Sequence, residues 1–414
     1  MRGLGATKLP LRAIAAGALA LAAGAAFAQQ SLPPGPGRDL VAAKCYACHT
    51  FEARVGNGYT ADGWHTVLRM MQNHGLVLSS SDITQITPYL VANFPEKNKV
   101  PAVIVPGPLN VSITTFTAGI TPGSRPHDPL ATRDGALWYT GQMMNVLGRV
   151  DPKTGAVKES PLKSPHSGPH GLVEDRQGNI WYTGNAGALV GKLDPRTGAV
   201  TEYKMPEGKG DPHTLQLDRN GTVWFTLQNA NQLGRLDPKT GEIKLVSMPT
   251  PGARPYGMAF DPRGNLFIVE FGTNGVAMVN PDTMAVREYK LPDPGARPRR
   301  VAVTPDNKVW YTDYARGMIG RLDPASGAVK EWPSPSGAKS APYGISAIGD
   351  VVWYSESEAV PNTVVRFDPG TETFQSWALP GGGNIVRNTS VTTDGDFVLA
   401  NSLMNAVTLV KIPR

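Results

Sequence analysis

The stretch that decides the fold is Asn145-Val-Leu-Gly-Arg-Val-Asp-Pro152, because it recurs along the chain at a fixed spacing. A fixed period of about 20 to 50 residues is typical of stacked or radial repeats. Further copies begin every 43 residues, and two more follow near the end of the chain; their first residues are Ala188, Asn231, Asn274, Gly317, Asn362 and Asn405. The greater part of the chain is therefore predicted to contain seven copies of one unit.

Each unit has the pattern of four short strands separated by turns. In one unit these strands are predicted at residues 171–174, at the aromatic run 180–183, at 190–193 and at 200–203. The segments between them are rich in Asp, Pro, Asn and Gly, which favour tight turns. Four short strands with such turns are typical of one blade of a β-propeller.

The two ends of the repeat region predict how the ring closes. The chain stops after the third strand of the seventh unit, and an isolated fourth-strand sequence, residues 111–117, precedes the first unit. A ring closes without an unpaired edge if that early strand completes the last blade. We therefore predict a closed seven-bladed β-propeller rather than a parallel β-solenoid, whose coils are shorter.

A second motif, Cys45-Tyr-Ala-Cys48-His49, precedes the repeats. C-x-x-C-H supplies two thiols that bond covalently to a haem and a histidine that ligates its iron. The chain has only two cysteines and both lie in the motif, so no disulfide competes for them. A zinc site would need further Cys or His ligands at a suitable spacing. We predict one covalent haem c held by Cys45, Cys48 and His49.

The N-terminal residues 1–28 have the pattern of a signal peptide, with Arg2, Lys8 and Arg12 before an Ala/Leu run and a small-residue cleavage site. The mature protein is therefore expected in the periplasm, without an integral membrane segment. Removing these three basic residues lowers the formal net charge from +6 to +3. Such a small charge does not predict nucleic-acid binding, but it suits an anionic partner.

Residues 60–94 read as two helices, with Thr60 or Asp62 as the first N-cap and Ser79 to Asp82 as the second. A haem in an electron carrier usually takes a soft sixth ligand. Met71 shares a helical stripe with Trp64, while Met70 and His74 lie on the adjacent stripe and remain alternatives. Residues 36–95 resemble small c-type cytochromes fused to periplasmic enzymes, and this resemblance implies Met71, seven residues after the tryptophan, as the axial ligand.

These patterns divide the chain into four parts. Residues 1–28 are the expected signal peptide, 29–95 a monohaem all-α cytochrome c domain, 96–109 a proline-rich linker and 110–414 the propeller. The predicted fold class is mainly β, a seven-bladed β-propeller preceded by a small all-α domain.

The repeats resemble the virginiamycin B (streptogramin B) lyase family over residues 110–414, in phrases such as Ser167-Gly-Pro-His-Gly-Leu172 and Asn179-Ile-Trp-Tyr-Thr183. The resemblance implies the propeller fold, ring opening of a cyclic depsipeptide by elimination, and a magnesium site with His and Glu in late blades. This chain has Arg387, Asn401 and Tyr343 at those positions. Arg is not a general base near neutral pH, and Asn is a poor substitute for a carboxylate ligand, so these residues argue against lyase activity.

Equivalent positions of the units are expected to ring one mouth of the central channel. The residue after the first-strand proline, or its aligned equivalent, is in turn His127, His170, His213, Tyr256, Arg299, Tyr343 and Arg387. Two residues earlier in their units stand Arg125, Asp211, Arg254 and Arg297. This ring is either the polar lining of a hydrated channel or, given its excess of Arg, a site for an anion. We expect the three histidines to lie too far apart for all of them to bind one metal ion.

Three acidic residues end the aromatic strands of consecutive units: Glu270, Asp313 and Glu356. Such carboxylates act as acids or bases, hold a cation, or balance the nearby Arg residues.

Three functional hypotheses follow. The first is a periplasmic electron-transfer protein whose haem module is tethered to a propeller that binds a substrate, a small anion or a redox partner protein. The second is a propeller enzyme, either a lyase-like eliminase or a dehydrogenase that passes electrons to the haem. The third treats the propeller as a docking scaffold only.

Overall fold

The computed structural model describes residues 32–46, 58–73, 76–97, 99–206 and 210–414. The predicted signal peptide, Cys48, His49 and His74 lie outside the described residues. The described N-terminal part contains three helices, α1 (Arg38–Cys45), α2 (Ala61–Asn73) and α3 (Ser80–Asn93). None of the helices in these ranges has the length and apolarity needed to cross a bilayer.

Both predicted helix starts are confirmed. Thr60 accepts a hydrogen bond from the Gly63 amide at 3.2 Å, and Ser79 and Asp82 form a reciprocal capping box. Such a box satisfies two amide groups that a helix start leaves without partners. The helices share a small core that includes Val41, Trp64, Leu68, Ile86, Tyr89 and Leu90. We refer to described residues 32–94 as the helical module.

The segment after the helical module lies along the propeller. Strand β1 (Val100–Pro101) pairs in parallel with a short strand at residues 359–360. Ser376 then binds this segment on both sides, since its hydroxyl accepts from the Val105 amide at 2.8 Å and donates to the Val103 carbonyl at 2.9 Å. The predicted linker is thus held against one blade by hydrogen bonds to its main chain. Strand β2 (Ser112–Phe116) follows it.

Within the described residues, seven four-stranded antiparallel sheets form the blades. Blade 1 comprises β3 (Pro126–Ala131), β4 (Leu137–Gly141), β5 (Val146–Val150) and β6 (Val157–Pro161). Blade 2 comprises β7 (Pro169–Glu174), β8 (Ile180–Gly184), β9 (Leu189–Leu193) and β10 (Val200–Lys204). Blade 3 comprises β11 (Pro212–Leu217), β12 (Val223–Leu227), β13 (Gln232–Leu236) and β14 (Ile243–Ser247). Blade 4 comprises β15 (Pro255–Phe260), β16 (Leu266–Glu270), β17 (Gly275–Val279) and β18 (Val286–Lys290).

The last three blades continue the pattern and close the ring. Blade 5 comprises β19 (Pro298–Val303), β20 (Val309–Asp313), β21 (Met318–Leu322) and β22 (Val329–Pro333). Blade 6 comprises β23 (Pro342–Ile348), β24 (Val351–Glu356), β26 (Thr363–Asp368) and β27 (Thr373–Ala378). The short strand β25 (Ala359–Val360), which pairs with β1, lies between β24 and β26 in the sequence. Blade 7 comprises β28 (Val386–Val391), β29 (Phe397–Asn401) and β30 (Ala406–Lys411), and β2 is its fourth strand. The predicted seven-bladed architecture and its closure by the early strand are confirmed.

The glycine of the repeated stretch has a packing reason. A Cβ at Gly148 would lie 1.9 Å from the Tyr139 ring, because that ring covers the backbone of the next strand. Gly191 and Gly320 are covered in the same way by tyrosines. Only the absence of a side chain allows an aromatic ring to approach the backbone so closely.

A threonine at the end of the aromatic strand joins neighbouring blades. The hydroxyl of Thr183 accepts a hydrogen bond from the Gly171 amide of its own blade at 2.8 Å. It donates another to the His213 carbonyl of the next blade at 2.5 Å. Thr140, Thr226 and Thr312 repeat this arrangement, and Ser402 donates to the Pro126 carbonyl between the last and first blades. We call this set the hydroxyl relay.

Every first strand also carries a register shift just after its opening residue, such as Pro126 or Pro169. A β-bulge of this kind bends the strand and redirects side chains next to a site. Two consecutive side chains of one blade, such as His127 and Asp128, are therefore buried together near the channel.

Replacing Thr183 by Val should destabilise the propeller. The change keeps the side-chain volume but leaves the Gly171 amide and the His213 carbonyl buried without partners, at a cost of about 1–3 kcal/mol. We expect a lower free energy of unfolding in denaturant titration. Thr201→Val, at an exposed strand position, is the matched control and should change stability by less than about 0.5 kcal/mol. Equal stabilities of the two variants would contradict the role of the relay.

Candidate functional site

One cavity joins the helical module to the mouth of the propeller channel. Its volume is about 490 Å³, within the usual range of about 300–1,000 Å³ for ligand sites. Cys45, Trp64, Met70 and Met71 are among the residues that line it from the helical side. From the propeller it is lined by residues that include His127, His170, His213, Tyr256, Arg299 and Arg387.

The helical wall of the cavity has the chemistry that a haem needs. Burial raises the pKa of the Cys45 thiol to about 11, so the thiol is neutral at pH 7. Apolar surface comes from Trp64, Leu68 and Leu90. The side chains of Met70 and Met71, the two methionines considered as the sixth ligand, line the same cavity. The part of the haem motif that lies within the described residues therefore fits the group.

Arg125 distinguishes the two methionines. Its Nη1 lies 3.1 Å from the Met70 sulfur, and the same atom donates to the Gln142 amide oxygen. Both methionines line the cavity, but only the Met70 sulfur has this contact with the propeller among the described residues. This contact ties the helical module to blade 1.

Three histidines form a continuous stack along one side of the channel. The ring centroids of His127 and His170 are 3.8 Å apart, and those of His170 and His213 are 3.7 Å apart. Burial, reinforced by charged or polar neighbours that include Arg300, lowers the pKa of all three well below its usual value. The rings are therefore neutral at pH 7.

Two of the three histidines, His127 and His170, come together with a carboxylate at a spacing that suits metal ligands. Ligand atoms of His127, Asp128 and His170 all lie within 4.8 Å of one another. The tight spacing arises because the first strands of adjacent blades pack side by side around a narrow channel. Asp128 was missed by sequence reasoning, although it directly follows a ring position.

Below the histidines, a buried ion pair crosses the channel. Arg300 Nη2 lies 3.3 Å from Asp128 Oδ1, and Arg300 Nη1 donates to the Thr214 hydroxyl at 2.9 Å. Asn388 donates to Asp128 Oδ2 at 2.7 Å. Each of these four residues directly follows a predicted ring residue, so the repeat alignment could have identified them as a second set of channel residues. The bulge decides that this second set also reaches the channel.

Aromatic rings surround the Arg299 guanidinium. Its central carbon lies 4.0 Å from the Tyr343 ring centroid and 4.1 Å from that of Tyr314, with Tyr256 and Phe271 slightly farther away. Cation–π attraction stabilises a desolvated guanidinium in such a position. The Tyr256 and Tyr343 hydroxyls form a 2.6 Å hydrogen bond. Burial acts to raise the pKa of Tyr343, but Arg299, Arg387 and Arg300 outweigh it, so the pKa falls below its usual value.

The other predicted arginines divide into two groups. Arg254 and Arg387 line the cavity, as does Asp211, whose pKa is raised to about 6 by burial. Arg297 does not line it, because its Nη1 donates to the carbonyls of Pro294 and Ala296.

The three predicted carboxylates lie outside the cavity wall. Asp313 pairs with Arg316, with Oδ2 and Nε 2.6 Å apart. Glu356 accepts hydrogen bonds from Ser334, Ser336 and Thr363. The carboxylates of Asp313 and Glu356 are thus engaged by structural partners.

Residues at the late-blade positions do not fit the implied magnesium site. The Asn401 amide oxygen accepts from the Asn384 amide at 2.9 Å, and its nitrogen donates to Met404. Arg387 supplies positive charge where a cation would need oxygen ligands. We infer no chemistry through magnesium at these positions.

Glu270 is a buried acid whose ionisation is unfavourable. Burial and the neighbouring Glu288 carboxylate raise the pKa of Glu270 from 4.5 to about 7, although Thr273 donates a hydrogen bond that opposes the rise. Between pH 4.5 and 7 the folded state keeps a proton that the unfolded state has lost. The free energy of unfolding therefore falls as the pH rises through this window.

Replacing Glu270 by Gln should remove this loss. The difference in free energy of unfolding between the variant and the unchanged protein should be more favourable to the variant at pH 8 than at pH 4.5. We expect this change to be on the order of 1–3 kcal/mol. Denaturant titration at both pH values measures the difference. Glu242→Gln, at an exposed position, removes a carboxylate without altering a buried pair and is the matched control. A gain of the same size in both variants would contradict the assignment.

Comparisons with known proteins agree with this architecture. Residues 108–367 match the sequence profile of the virginiamycin B lyase family. No curated protein sequence matches the chain.

Three solved structures are similar in fold. A streptogramin B lyase is 24% identical with a TM-score of 0.67, and the alignment covers 73% of this chain and 98% of that one. A catalytically inactive virginiamycin B lyase from Staphylococcus aureus with quinupristin is 20% identical with a TM-score of 0.67, over 73% and 100% of the two chains. Hydrazine synthase from Kuenenia stuttgartiensis is 16% identical with a TM-score of 0.61, over 71% and 97%.

Proposed function

The chain belongs to the virginiamycin B lyase family, and from that premise we propose that it is a periplasmic haem c redox protein whose propeller holds a substrate or redox partner beside the haem module. Cys45 and Cys48 would bind the porphyrin, and His49 would ligate the iron. The proposed periplasmic location follows from the predicted signal peptide and from haem c attachment, which takes place outside the cytoplasm. When bound, the haem supplies one-electron exchange.

The observation that carries this proposal is the single cavity shared by Cys45 and the propeller histidines. Two modules that were merely joined by a linker would not be expected to share a cavity. Here the Arg125–Met70 contact and the hydrogen-bonded linker fix the helical module over the channel mouth. A molecule bound among the ring residues would therefore share its enclosure with the group attached at Cys45.

The propeller side chains determine what such a molecule meets. The stacked histidines are neutral and present ring nitrogens that donate or accept hydrogen bonds according to their tautomer. Arg387 and Arg299 would attract and orient a negatively charged group of such a molecule. The Tyr256 and Tyr343 hydroxyls share a hydrogen bond beside them. The helical module covers this end of the channel.

A dehydrogenase is the second candidate, because the shared cavity favours oxidation of a bound molecule next to an electron acceptor. Lyase chemistry has less support, since the late-blade positions carry Arg387, Asn401 and Tyr343. Turnover coupled to haem reduction would favour the dehydrogenase. Turnover by full-length protein lacking haem would favour the lyase.

The first test is the haem itself. The full-length protein, expressed with haem-maturation machinery, should carry one covalent haem that a Cys48→Ala variant attaches incompletely. The pyridine haemochrome spectrum measures both the amount of haem and the number of thioether bonds. Protein that folds but binds no haem would overturn the proposed function.

Met71 is the proposed sixth ligand, and Arg125 supports this choice by engaging Met70. The reduced protein should show no spectral change with carbon monoxide, whereas Met71→Ala should form an adduct because it opens the sixth site. Met70→Ala is the matched control and should behave like the unchanged protein. An adduct in Met70→Ala but not in Met71→Ala would reverse the assignment.

A further inference from the structure

We infer that the floor of the cavity is a binding site for a carboxylate or a small oxyanion, held by Arg299, Arg387 and His170. This inference rests on the proposed function for the placement of the site beside the haem module. It specifies the chemistry of the molecule that the propeller binds there.

Charge is strongly unequal around this floor. Arg254, Arg299 and Arg387 line the cavity from the propeller, and Lys44 lines it from the helical module. Asp211 is the acidic residue among the lining residues of the described chain. The ion pair of Asp128 with Arg300 below adds no net charge. Lys44 Nζ lies 3.1 Å from Asp82 Oδ2, and Arg254 attracts Asp211. The charge that an anion would offset is therefore that of Arg299 and Arg387.

Several buried nitrogen atoms at the floor also have no hydrogen-bond partner in the protein, and one of them, His170 Nδ1, donates in one of the two tautomers of its neutral ring. The Nε atoms of Arg299 and Arg387 and the Nδ1 atom of His170 are buried without a hydrogen-bond partner. His170 is only 4% exposed, and its ring is fixed between those of His127 and His213. A buried donor without an acceptor costs about 1–3 kcal/mol, more when it is charged. Oxygen atoms of a bound anion would remove that cost.

A metal cation is the competing occupant, since His127, Asp128 and His170 have suitable ligand atoms. Both Asp128 oxygens, however, already accept from protein donors, Arg300 and Asn388. The surrounding guanidinium groups also help to lower the pKa of His127. The same positive potential that disfavours a proton there disfavours a metal ion, so the geometry favours an anion.

Carboxylates can reach these donors from two sources. One is a free molecule from solution, and the other is the pair of propionate groups that every haem carries. Both present planar oxygens that suit a guanidinium. The experiment must therefore separate a soluble ligand from the haem's own side chains.

The test uses full-length, haem-loaded protein with formate and inorganic phosphate as probes. Isothermal titration calorimetry measures binding, and redox titration measures the haem potential. The variants are Arg387→Gln, its conservative counterpart Arg387→Lys, and His170→Phe, which keeps a ring in the stack. Arg297→Gln is the matched control, because Arg297 lies two residues before Arg299 but outside the cavity wall. Thermal unfolding establishes that each variant is folded.

We expect at least one probe to bind, with affinity about 10- to 100-fold lower in Arg387→Gln and His170→Phe, as loss of a charge-assisted hydrogen bond predicts. Arg387→Lys should recover part of the affinity, and Arg297→Gln should bind like the unchanged protein. If neither probe binds but Arg387→Gln alone shifts the haem potential, the carboxylates are the haem propionates.

Two results would overturn the inference. One is the absence of both probe binding and any potential shift that depends on Arg387. The other is one equivalent of a transition metal in addition to the haem iron, present in the purified protein and lost in His170→Phe. Calorimetry does not require the haem, so phosphate binding by a haem-free preparation would uphold this inference even if the proposed function failed.

Discussion

The structure depends on one recurring interaction, the threonine hydroxyl that joins each of several blades to the next. Thr140, for example, accepts from the Asp128 amide and donates to the His170 carbonyl. Its partners are the amide that follows the ring residue His127 in blade 1 and the carbonyl of the ring residue His170 in blade 2. The same hydroxyl therefore joins two blades and helps to position both histidines. Because the group is buried, an alternative register would leave several polar atoms unpaired, which is costly.

The β-bulge beside this hydroxyl explains why so many polar and charged side chains reach the channel. A regular strand alternates its side chains between two faces, and only every second residue would reach the centre. The bulge brings consecutive residues inward, so that blade 1 contributes His127 with Asp128 and blade 5 contributes Arg299 with Arg300. One layer stays open to the cavity, while the other closes the channel with the Asp128–Arg300 pair.

Family membership accounts for the scaffold, whereas the side chains at its late-blade positions differ from the His and Glu that the resemblance implies. In the late blades Tyr343 and Arg387 belong to an aromatic and cationic floor, and Asn401 serves a local turn. The stacked neutral histidines and the caged Arg299 face the helical module across one cavity. The proposed redox role therefore follows from how the two parts of the chain meet, since neither part alone encloses that space.

The sequence by itself determined the seven-fold repeat, the closing strand, the helix caps and the set of ring residues, because each depends on local patterns of period, turn chemistry or strand order. It also provided the C-x-x-C-H prediction, whose Cys48 and His49 lie outside the described residues. Only the tertiary structure decided that Asp128 and Arg300 join the channel, that Arg297 and the three carboxylates do not line the cavity, and that Met70 meets Arg125. These outcomes depend on bulges and on contacts between distant segments, and a repeat pattern does not encode which neighbours a side chain finds across a ring.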